Sequence, residues 1–325
     1  MKILCCGGAG YVGSSLIPVL VDHGYNITVI DLMWFDNNLP KEVDVIQKDL
    51  FECSEEDVKG FDCIIWLAGM SNDPSAEHDL VRNFVYNAAL PAQIALMAKR
   101  VGVKRFIYAS TCSVYGYTVN ELYDEESKIS CNYAYGVSKL MGEKGVMHLQ
   151  DDTFSVICLR KGTISGISAR MRFDLIVNTM TKNAMLLNEI TINNPAIWRP
   201  IISIKDVTAA YLRAIQSNYS LSGVFNIAYS NFTVGEVAYI VKDIVEKKIG
   251  KKIKLKILNI KDVRNYKVTT EKAQTMLGFH PRHTISDIVE NILNSWNKFE
   301  LDINNDKYYN INICKKLFKN SAKII

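Results

Sequence analysis

The stretch KILCCGGAGYVG, residues 2–13, decides the fold of this 325-residue chain. The apolar run before Gly7 predicts a buried strand, and the residues after the last glycine predict a helix. Gly7 permits a tight turn, Gly10 lets the backbone approach a diphosphate, and Gly13 lets the helix pack closely on the sheet. The unpaired N–H groups of a helix N-terminus attract phosphate. The stretch therefore predicts a dinucleotide-binding loop, with contacts from Gly7, Gly10, Tyr11, Val12 and Gly13.

Short apolar runs alternate with longer periodic segments through the first two-thirds of the chain. Continuous apolar strands separated by helices are typical of a parallel sheet that is covered on both faces. We therefore predict an α/β fold with a Rossmann-like doubly wound parallel sheet. Strands are expected at Lys2–Cys6, Ile27–Asp31, Val43–Gln47, Cys63–Leu67, Arg105–Ala109 and Phe154–Leu159, and helices at Tyr11–Gly24, Asp79–Val101 and Tyr133–Leu149.

The alternation loosens after about Gly162, which predicts a smaller mixed C-terminal substrate-binding domain. Helices are expected at Phe173–Ala184, Lys205–Ser217, Val234–Lys248 and Ile285–Phe299, and strands at Pro200–Ile204 and Val224–Ile227. The predicted division assigns residues 1–162, with parts of 200–230, to the dinucleotide-binding domain and 163–299 mainly to the substrate-binding portion. Residues 300–325 form a predicted C-terminal tail that is rich in Asn, Asp and Lys and is expected to be partly mobile.

The composition of the chain limits the kinds of partner that we expect it to bind. Lys and Arg outnumber Asp and Glu by 38 to 34, and no long basic block marks a nucleic-acid site. No apolar stretch approaches the roughly 18 to 20 residues needed to cross a bilayer. No secretion signal is visible, and the eight cysteines lack CxxC or metal-ligand spacing. We expect no nucleic-acid, membrane or metal partner and a location in the reducing cytoplasm.

Asp31 ends the second predicted strand, 18 residues after Gly13. A carboxylate at this position can accept both hydroxyls of an adenosine ribose, and it would repel a 2′-phosphate. The predicted cofactor is therefore NAD rather than NADP. Asp49 and Leu50, which follow the third strand, could flank the adenine. An ordinary turn role is the alternative interpretation of both aspartates.

Tyr135 and Lys139 lie one turn apart on a predicted helix, so both side chains share one face. A nearby cation stabilises tyrosinate and makes Tyr135 a usable general base or acid. Lys139 could also bind the nicotinamide ribose. The strand from Arg105 runs into hydroxyl side chains that can hold a substrate oxygen, and ordinary turn chemistry is the alternative. Thr111 is the preferred candidate, with Ser110 and Ser113 as further choices.

These segments together resemble the extended short-chain dehydrogenase/reductase family, specifically its nucleoside-diphosphate-sugar epimerase/dehydratase group. The resemblance covers about residues 1–298. It implies a tightly held NAD, transient oxidation of a sugar carbon that is usually C4, and the catalytic triad Thr111, Tyr135 and Lys139. The matching pieces are GGAGYVG at 7–13, Asp31, DL at 49–50, LAG at 67–69, STCSVYG at 110–116 and YGVSK at 135–139, with weaker matches at 199–207 and 262–281.

The resemblance also implies further contacts and an assembly. Arg199 and Arg264 match the region that binds the phosphates of the nucleotide sugar, where guanidinium groups suit phosphate oxygens. Surface salt bridges are the alternative for both arginines. A homodimer formed through the segments Asp79–Val101 and Tyr133–Leu149 is expected. Further implied residues are Leu67, Ala68, Gly69 and Asn87 for the cofactor, and Thr163, Arg172, Asp174 and Asn178 for the substrate.

Two departures from the family narrow the predicted chemistry. The 4,6-dehydratases carry Asp-Glu after the catalytic Thr, whereas this chain has Cys112 and Ser113, which disfavours dehydration by that mechanism. Thr163 replaces an Asn common in epimerases, which weakens the expectation of a glucose/galactose substrate. We predict an NAD-dependent nucleotide-sugar C4 oxidoreductase, either a 4-epimerase or a C4 dehydrogenase. The alternatives are an NDP-4-ketosugar reductase, a 4,6-dehydratase, or a non-catalytic dinucleotide-binding regulatory protein.

Overall fold

The computed structural model describes residues 1–259, 264–299 and 301–318. The strands in these residues are β1 (Lys2–Cys6), β2 (Asn26–Asp31), β3 (Asp44–Gln47), β4 (Cys63–Trp66), β5 (Arg105–Thr111), β6 (Tyr117–Tyr123), β7 (Ser155–Lys161), β8 (Thr163–Ser165), β9 (Glu189–Asn193), β10 (Trp198–Ser203), β11 (Gly223–Ile227), β12 (Ser230–Thr233), β13 (Lys254–Leu258) and β14 (Asn265–Val268). The α-helices are α1 (Gly13–Asp22), α2 (Glu55–Val58), α3 (Asp73–His78), α4 (Leu80–Phe84), α5 (Leu90–Arg100), α6 (Ala134–Met147), α7 (Ile176–Leu187), α8 (Ile204–Gln216), α9 (Val234–Ile249), α10 (Glu271–Leu277), α11 (Ile285–Asn294) and α12 (Asn310–Leu317).

Seven strands form one parallel sheet in the order β3-β2-β1-β4-β5-β7-β11. Strands β5 and β7 are buried along their whole length, as expected when helices cover both faces of a sheet. The winding direction reverses between β1 and β4, and the carboxyl ends of such strands form the usual ligand crevice. The predicted Rossmann-like doubly wound sheet is confirmed.

The predicted helix Asp79–Val101 is present, but it is not one regular α-helix. The structure has α4, then a π-helical turn at Val85–Ala89, and then α5. Pro91 lacks the N–H that would reach the carbonyl of Asn87 in a regular helix. That carbonyl instead accepts a hydrogen bond from the Tyr108 hydroxyl at 2.6 Å. Inserted π turns of this kind are frequent at functional sites.

The second half of the chain builds small sheets and a second hydrophobic core. The small sheets are β12-β10-β8, β13-β9 and β14-β6, and helices α7, α9 and α11 contribute buried residues to that core. The division into 1–162 with parts of 200–230 and 163–299 stays a prediction. Within the predicted tail, Ile303 and Tyr308 are buried in the second core, and α12 follows them. Residue 300 and residues 319–325 of that tail lie outside the described residues.

The join between β1 and α1 depends on close backbone contacts. Gly7 has φ of 79°, and a Cβ there would lie 2.4 Å from the backbone nitrogen of Ala68. A Cβ on Gly13 would lie 2.1 Å from the carbonyl oxygen of Gly8. A Cβ on Gly10 would meet its nearest atom at 3.5 Å, which is ordinary van der Waals contact. The protein's own packing therefore requires Gly7 and Gly13 but not Gly10.

This contrast predicts different stabilities for two alanine variants of one loop. Gly13→Ala should lower the free energy of unfolding by about 2 kcal/mol or more, because the added carbon overpacks a rigid backbone contact. Gly10→Ala should change it by less than about 0.5 kcal/mol, because the space beside it is open. Chemical denaturation of both variants checks the prediction. Equal losses for the two variants would contradict it.

Candidate active site

A cavity of about 570 Å³ opens at the carboxyl ends of the central strands. This volume lies in the range typical of small-molecule and cofactor sites. Its walls are the glycine loop, the ends of β2, β5 and β7, and the residues that lead into α7. The predicted site residues on its walls are Gly7, Gly10, Tyr11, Val12, Gly13, Asp31, Leu50, Leu67, Ala68, Gly69, Ser110, Thr111, Ser113, Tyr135, Lys139, Thr163, Arg172, Asp174, Arg199 and Arg264.

The wall of this cavity contains the predicted triad of Thr111, Tyr135 and Lys139. Thr111 ends β5, while Tyr135 and Lys139 belong to the first turns of α6. The Thr111 side chain lies close enough to the Tyr135 phenol to lower its pKa. The Lys139 ammonium lies 4.8 Å from the centroid of the Tyr108 ring. The structure therefore brings a hydroxyl, a phenol and an amine into one place.

Burial shifts the pKa values of the phenol and the amine. Burial raises the pKa of Tyr135, and the charge of Asp73 raises it further, whereas Arg172 and the hydrogen bond with Thr111 oppose the change. Burial lowers the pKa of Lys139 to about 7. Both groups therefore favour their neutral forms, and their proton affinity depends on the charges placed beside them. Strong shifts of this kind are typical of functional sites.

The neighbouring hydroxyls are engaged elsewhere. Ser110 donates to the Glu143 carboxylate at 2.6 Å, and the same carboxylate forms a buried ion pair with Arg160. Ser113 Oγ lies 3.2 Å from the Tyr266 hydroxyl. Among the three hydroxyl candidates, Thr111 is the one that lowers the pKa of the phenol.

The cofactor end of the cavity contains Asp31. Its carboxylate accepts the backbone N–H of Ala9 at 2.9 Å and that of Met33 at 2.8 Å, which fixes the glycine loop. A carboxylate oxygen has a second lone pair, so Asp31 can still accept ribose hydroxyls. Asp49 is placed differently: its side chain accepts the N–H of Phe51 and the Tyr86 hydroxyl, and it lies outside the cavity.

Asn87 and Asn178 also lie outside the cavity lining and support its walls. Asn87 donates to the carbonyl of Met70 at 2.9 Å, and its Oδ1 occupies the space that a Cβ on Gly69 would need. Asn178 accepts the N–H of Gly166 at 2.9 Å and donates to the carbonyl of Arg172 at 2.8 Å. Both side chains therefore hold the backbone of residues that line the cavity.

The predicted arginines Arg172, Arg199 and Arg264 also line the cavity. Arg172 forms a two-point ion pair with Asp174, with both N–O distances at 2.8 Å. Arg199 donates to the carbonyl oxygens of Trp198 and Arg264. Arg264 in turn pairs with Asp73 at 2.6 Å. These guanidinium groups can attract a negatively charged group to the cavity.

Asp73 is a site residue that the sequence reasoning missed, because an Asp before Pro is typical of an ordinary helix start. It opens α3, and Asn72 before it has φ of 80°, which is unfavourable for a non-glycine residue. One carboxylate oxygen pairs with Arg264, and the other is buried with no hydrogen-bond partner in the described residues. The site thus contains a carboxylate that does not come from positions 112–113. Other missed lining residues are Lys161, Arg170, Tyr266 and Asn310.

The upper part of the cavity fits a dinucleotide. The open space beside Gly10 gives a diphosphate access to the loop backbone, and α1 begins directly behind it. Asp31 lies where the adenosine ribose of a dinucleotide would bind. No group of three His, Cys, Asp or Glu side chains in the described residues could hold a metal ion. Within the same residues, every helix is too short or too polar to cross a membrane.

Comparison with known proteins shows wide but distant similarity. The chain is 24% identical to UDP-glucose 4-epimerase 3 of Oryza sativa subsp. japonica, over 91% of this chain and 89% of the relative. It is 25% identical to the UDP-glucose 4-epimerase of Corynebacterium glutamicum, over 89% of this chain and 94% of the relative.

A solved structure with the same fold is the UDP-glucuronic acid 4-epimerase from Bacillus cereus in complex with UDP-glucuronic acid and NAD. It has a TM-score of 0.79 at 24% identity and covers 92% of this chain and 99% of that one. The NAD-dependent NDP-hexosamine 5,6-dehydratase TunA superposes with a TM-score of 0.81 at 22% identity, covering 93% of this chain and 99% of that one. The resemblance inferred from the motifs is confirmed: residues 3–228 match the family model, and the chain belongs to the NAD dependent epimerase/dehydratase family.

Proposed function

We propose that the protein is an NAD-dependent nucleotide-sugar C4 oxidoreductase, either a 4-epimerase or a C4 dehydrogenase. The observation that carries this proposal is the meeting of Thr111, Tyr135 and Lys139 in a cavity that also contains the glycine loop and Asp31. The family is NAD-dependent, and the two relatives described above are named UDP-glucose 4-epimerases. The complete triad favours an enzyme over a non-catalytic regulatory protein.

In the proposed mechanism, Tyr135 takes the proton of the sugar hydroxyl and later returns it. Thr111 holds the same sugar oxygen, because its side chain lies next to the phenol. The protonated form of Lys139 lowers the pKa of Tyr135 by its charge. NAD, when bound, supplies the hydride acceptor for the sugar carbon. Arg199 and Arg264 hold the diphosphate of the nucleotide sugar, where guanidinium groups can make paired contacts.

An epimerase and a dehydrogenase use the same residues and differ in the fate of the hydride. An epimerase returns it to the other face of the ketosugar, whereas a dehydrogenase releases the ketosugar. An NDP-4-ketosugar reductase runs the second reaction backwards. Mass spectrometry of a nucleotide-sugar panel, with absorbance at about 340 nm, separates them. A changed product without net absorbance indicates epimerisation, and growing absorbance indicates net oxidation.

Tyr135→Phe tests the central role. The variant keeps the ring but loses the group that moves the proton, so we expect kcat to fall by about 10²- to 10⁴-fold. The NAD content of the purified protein should stay near that of the unaltered chain, because the phenol hydroxyl is not part of the glycine loop. Tyr239→Phe, at an exposed tyrosine, is the control. Unchanged turnover in Tyr135→Phe would refute the mechanism.

We further propose that Asp73 accepts a hydrogen bond from a sugar hydroxyl. Asp73 lines the cavity that contains Tyr135, one of its oxygens is buried without a partner in the described residues, and the other is fixed by Arg264. Such a carboxylate selects the orientation of the sugar ring. It also provides a carboxylate for acid–base chemistry, such as that of a 4,6-dehydratase, at a position other than 112 and 113.

Asp73→Asn tests this contact. The amide keeps the shape but loses the charge, so kcat/KM should fall by about 10- to 100-fold while NAD content is unchanged. Asp243→Asn, in an exposed pair with Lys247, is the matched control and should have no effect. Full activity of Asp73→Asn on the best substrate of the panel would rule the contact out. Loss of a dehydrated product alone would instead identify Asp73 as an acid–base group.

A homodimer and a cytoplasmic location are part of the proposal. The helices predicted to pair carry exposed apolar side chains, namely Val81, Phe84 and Leu96 on the first segment and Met141 on the second. All eight cysteines are unpaired, which suits a reducing compartment. Light scattering should give twice the chain mass, and Phe84→Asp should reduce it. A monomeric mass for the unaltered protein would contradict the dimer.

A further inference from the structure

Arg170 is a buried cation that forms no ion pair within the described residues, although the charge of Asp174 acts on it. Only 3% of it is exposed, and its guanidinium lies 3.6 Å from the centroid of the Phe35 ring. Nη2 donates to Oδ1 of Asn310 at 2.5 Å, and Nε has no hydrogen-bond partner in the described residues. No carboxylate in those residues forms an ion pair with it. Arg172, two residues away, is by contrast fully paired with Asp174.

The segment that carries Arg170 lies directly against the glycine loop. The Tyr11 hydroxyl donates to the carbonyl of Gly166 at 2.7 Å, and Ser168 donates back to the carbonyl of Tyr11 at 2.8 Å. Phe35, which packs against the guanidinium, follows Asp31 by four residues. Arg170 also lines the cavity together with the loop glycines and Asp31. The Arg170 side chain therefore lies at the cofactor end of the site.

An unpaired buried guanidinium is unfavourable unless an anion reaches it. Its planar array of donors matches the oxygens of a phosphate group. We propose that Arg170 binds the diphosphate of the NAD cofactor beside the glycine loop. A nucleotide sugar offers the same chemical group, but the position beside Phe35 and the glycine loop favours the cofactor. The inference concerns NAD binding and is independent of the sugar.

Asn310 positions the guanidinium. Its Oδ1 accepts from Arg170, and its Nδ2 donates to the Ser71 hydroxyl at 2.7 Å. The same hydroxyl accepts from Arg172 at 3.1 Å. Helix α12, which begins at Asn310, is thereby linked to both arginines. A C-terminal element thus contributes to a cofactor site whose motifs are all near the N-terminus.

The test is Arg170→Met, which keeps the length of the side chain and removes the charge. We expect NAD to bind about 10- to 100-fold more weakly, as for other lost charged hydrogen bonds. UDP should bind within twofold of the unaltered protein. The melting temperature measured without added nucleotide should stay equal or rise, because a costly buried charge is gone. Arg213→Met, at an exposed arginine of α8, is the control and should change none of these values.

Other results for Arg170→Met would overturn the proposed contact with NAD. Weaker UDP binding with unchanged NAD binding would assign Arg170 to the nucleotide sugar. A lower melting temperature with unchanged NAD binding would make Arg170 structural. Asn310→Leu should weaken NAD binding by less than Arg170→Met does, and it should add no loss in the double variant, because it acts through Arg170. Additive losses would show that Asn310 does not position Arg170.

Discussion

The direct contact of backbone with backbone at the glycine loop is the constraint on which the site depends. Gly7 lies against Ala68 and Gly13 against Gly8 with no room for a side-chain carbon. These contacts bring the N-terminus of α1 to the ends of β1 and β4, where the sheet reverses its winding. The same loop offers the N–H of Ala9 to Asp31, so the carboxylate and the loop fix each other. The backbone packing of the protein itself therefore forms the cofactor groove.

Tyr11 extends this constraint to the second half of the chain. Its hydroxyl is bonded to Gly166 and to Asn178, and its carbonyl accepts from Ser168. Its ring belongs to the second core. Tyr11 therefore connects the glycine loop directly to the segment that carries Arg170 and Arg172. These hydrogen bonds fix the position of residues 166–178 relative to the glycine loop.

Sequence reasoning could predict the parts of the site that are local in the chain. The glycine loop, Asp31 and the Tyr135–Lys139 pair are each defined by short spacings that strand and helix periodicity place on the sheet. Asn310 and Arg170 are 140 residues apart, and no local pattern indicates their contact. The π turn was missed because it depends on Pro91 together with a hydroxyl from a distant strand. Asp73 was missed because its partner, Arg264, is 191 residues away.

The charges around the cavity link ligand binding to proton transfer. Eight Lys and Arg side chains line it against three Asp. Burial lowers the pKa of Lys139 to about 7 and that of Lys161 well below its usual value, where the charge of Lys139 adds to the effect. Diphosphates of a cofactor and a nucleotide sugar bring negative charge into this set, and opposite charge raises the pKa of an amine. In the proposed mechanism, the proton that Lys139 then keeps stabilises the Tyr135 phenolate. Under the proposed function, the binding of both nucleotides therefore favours the basic form of Tyr135, because the phosphate charges and the Lys139 amine share one cavity.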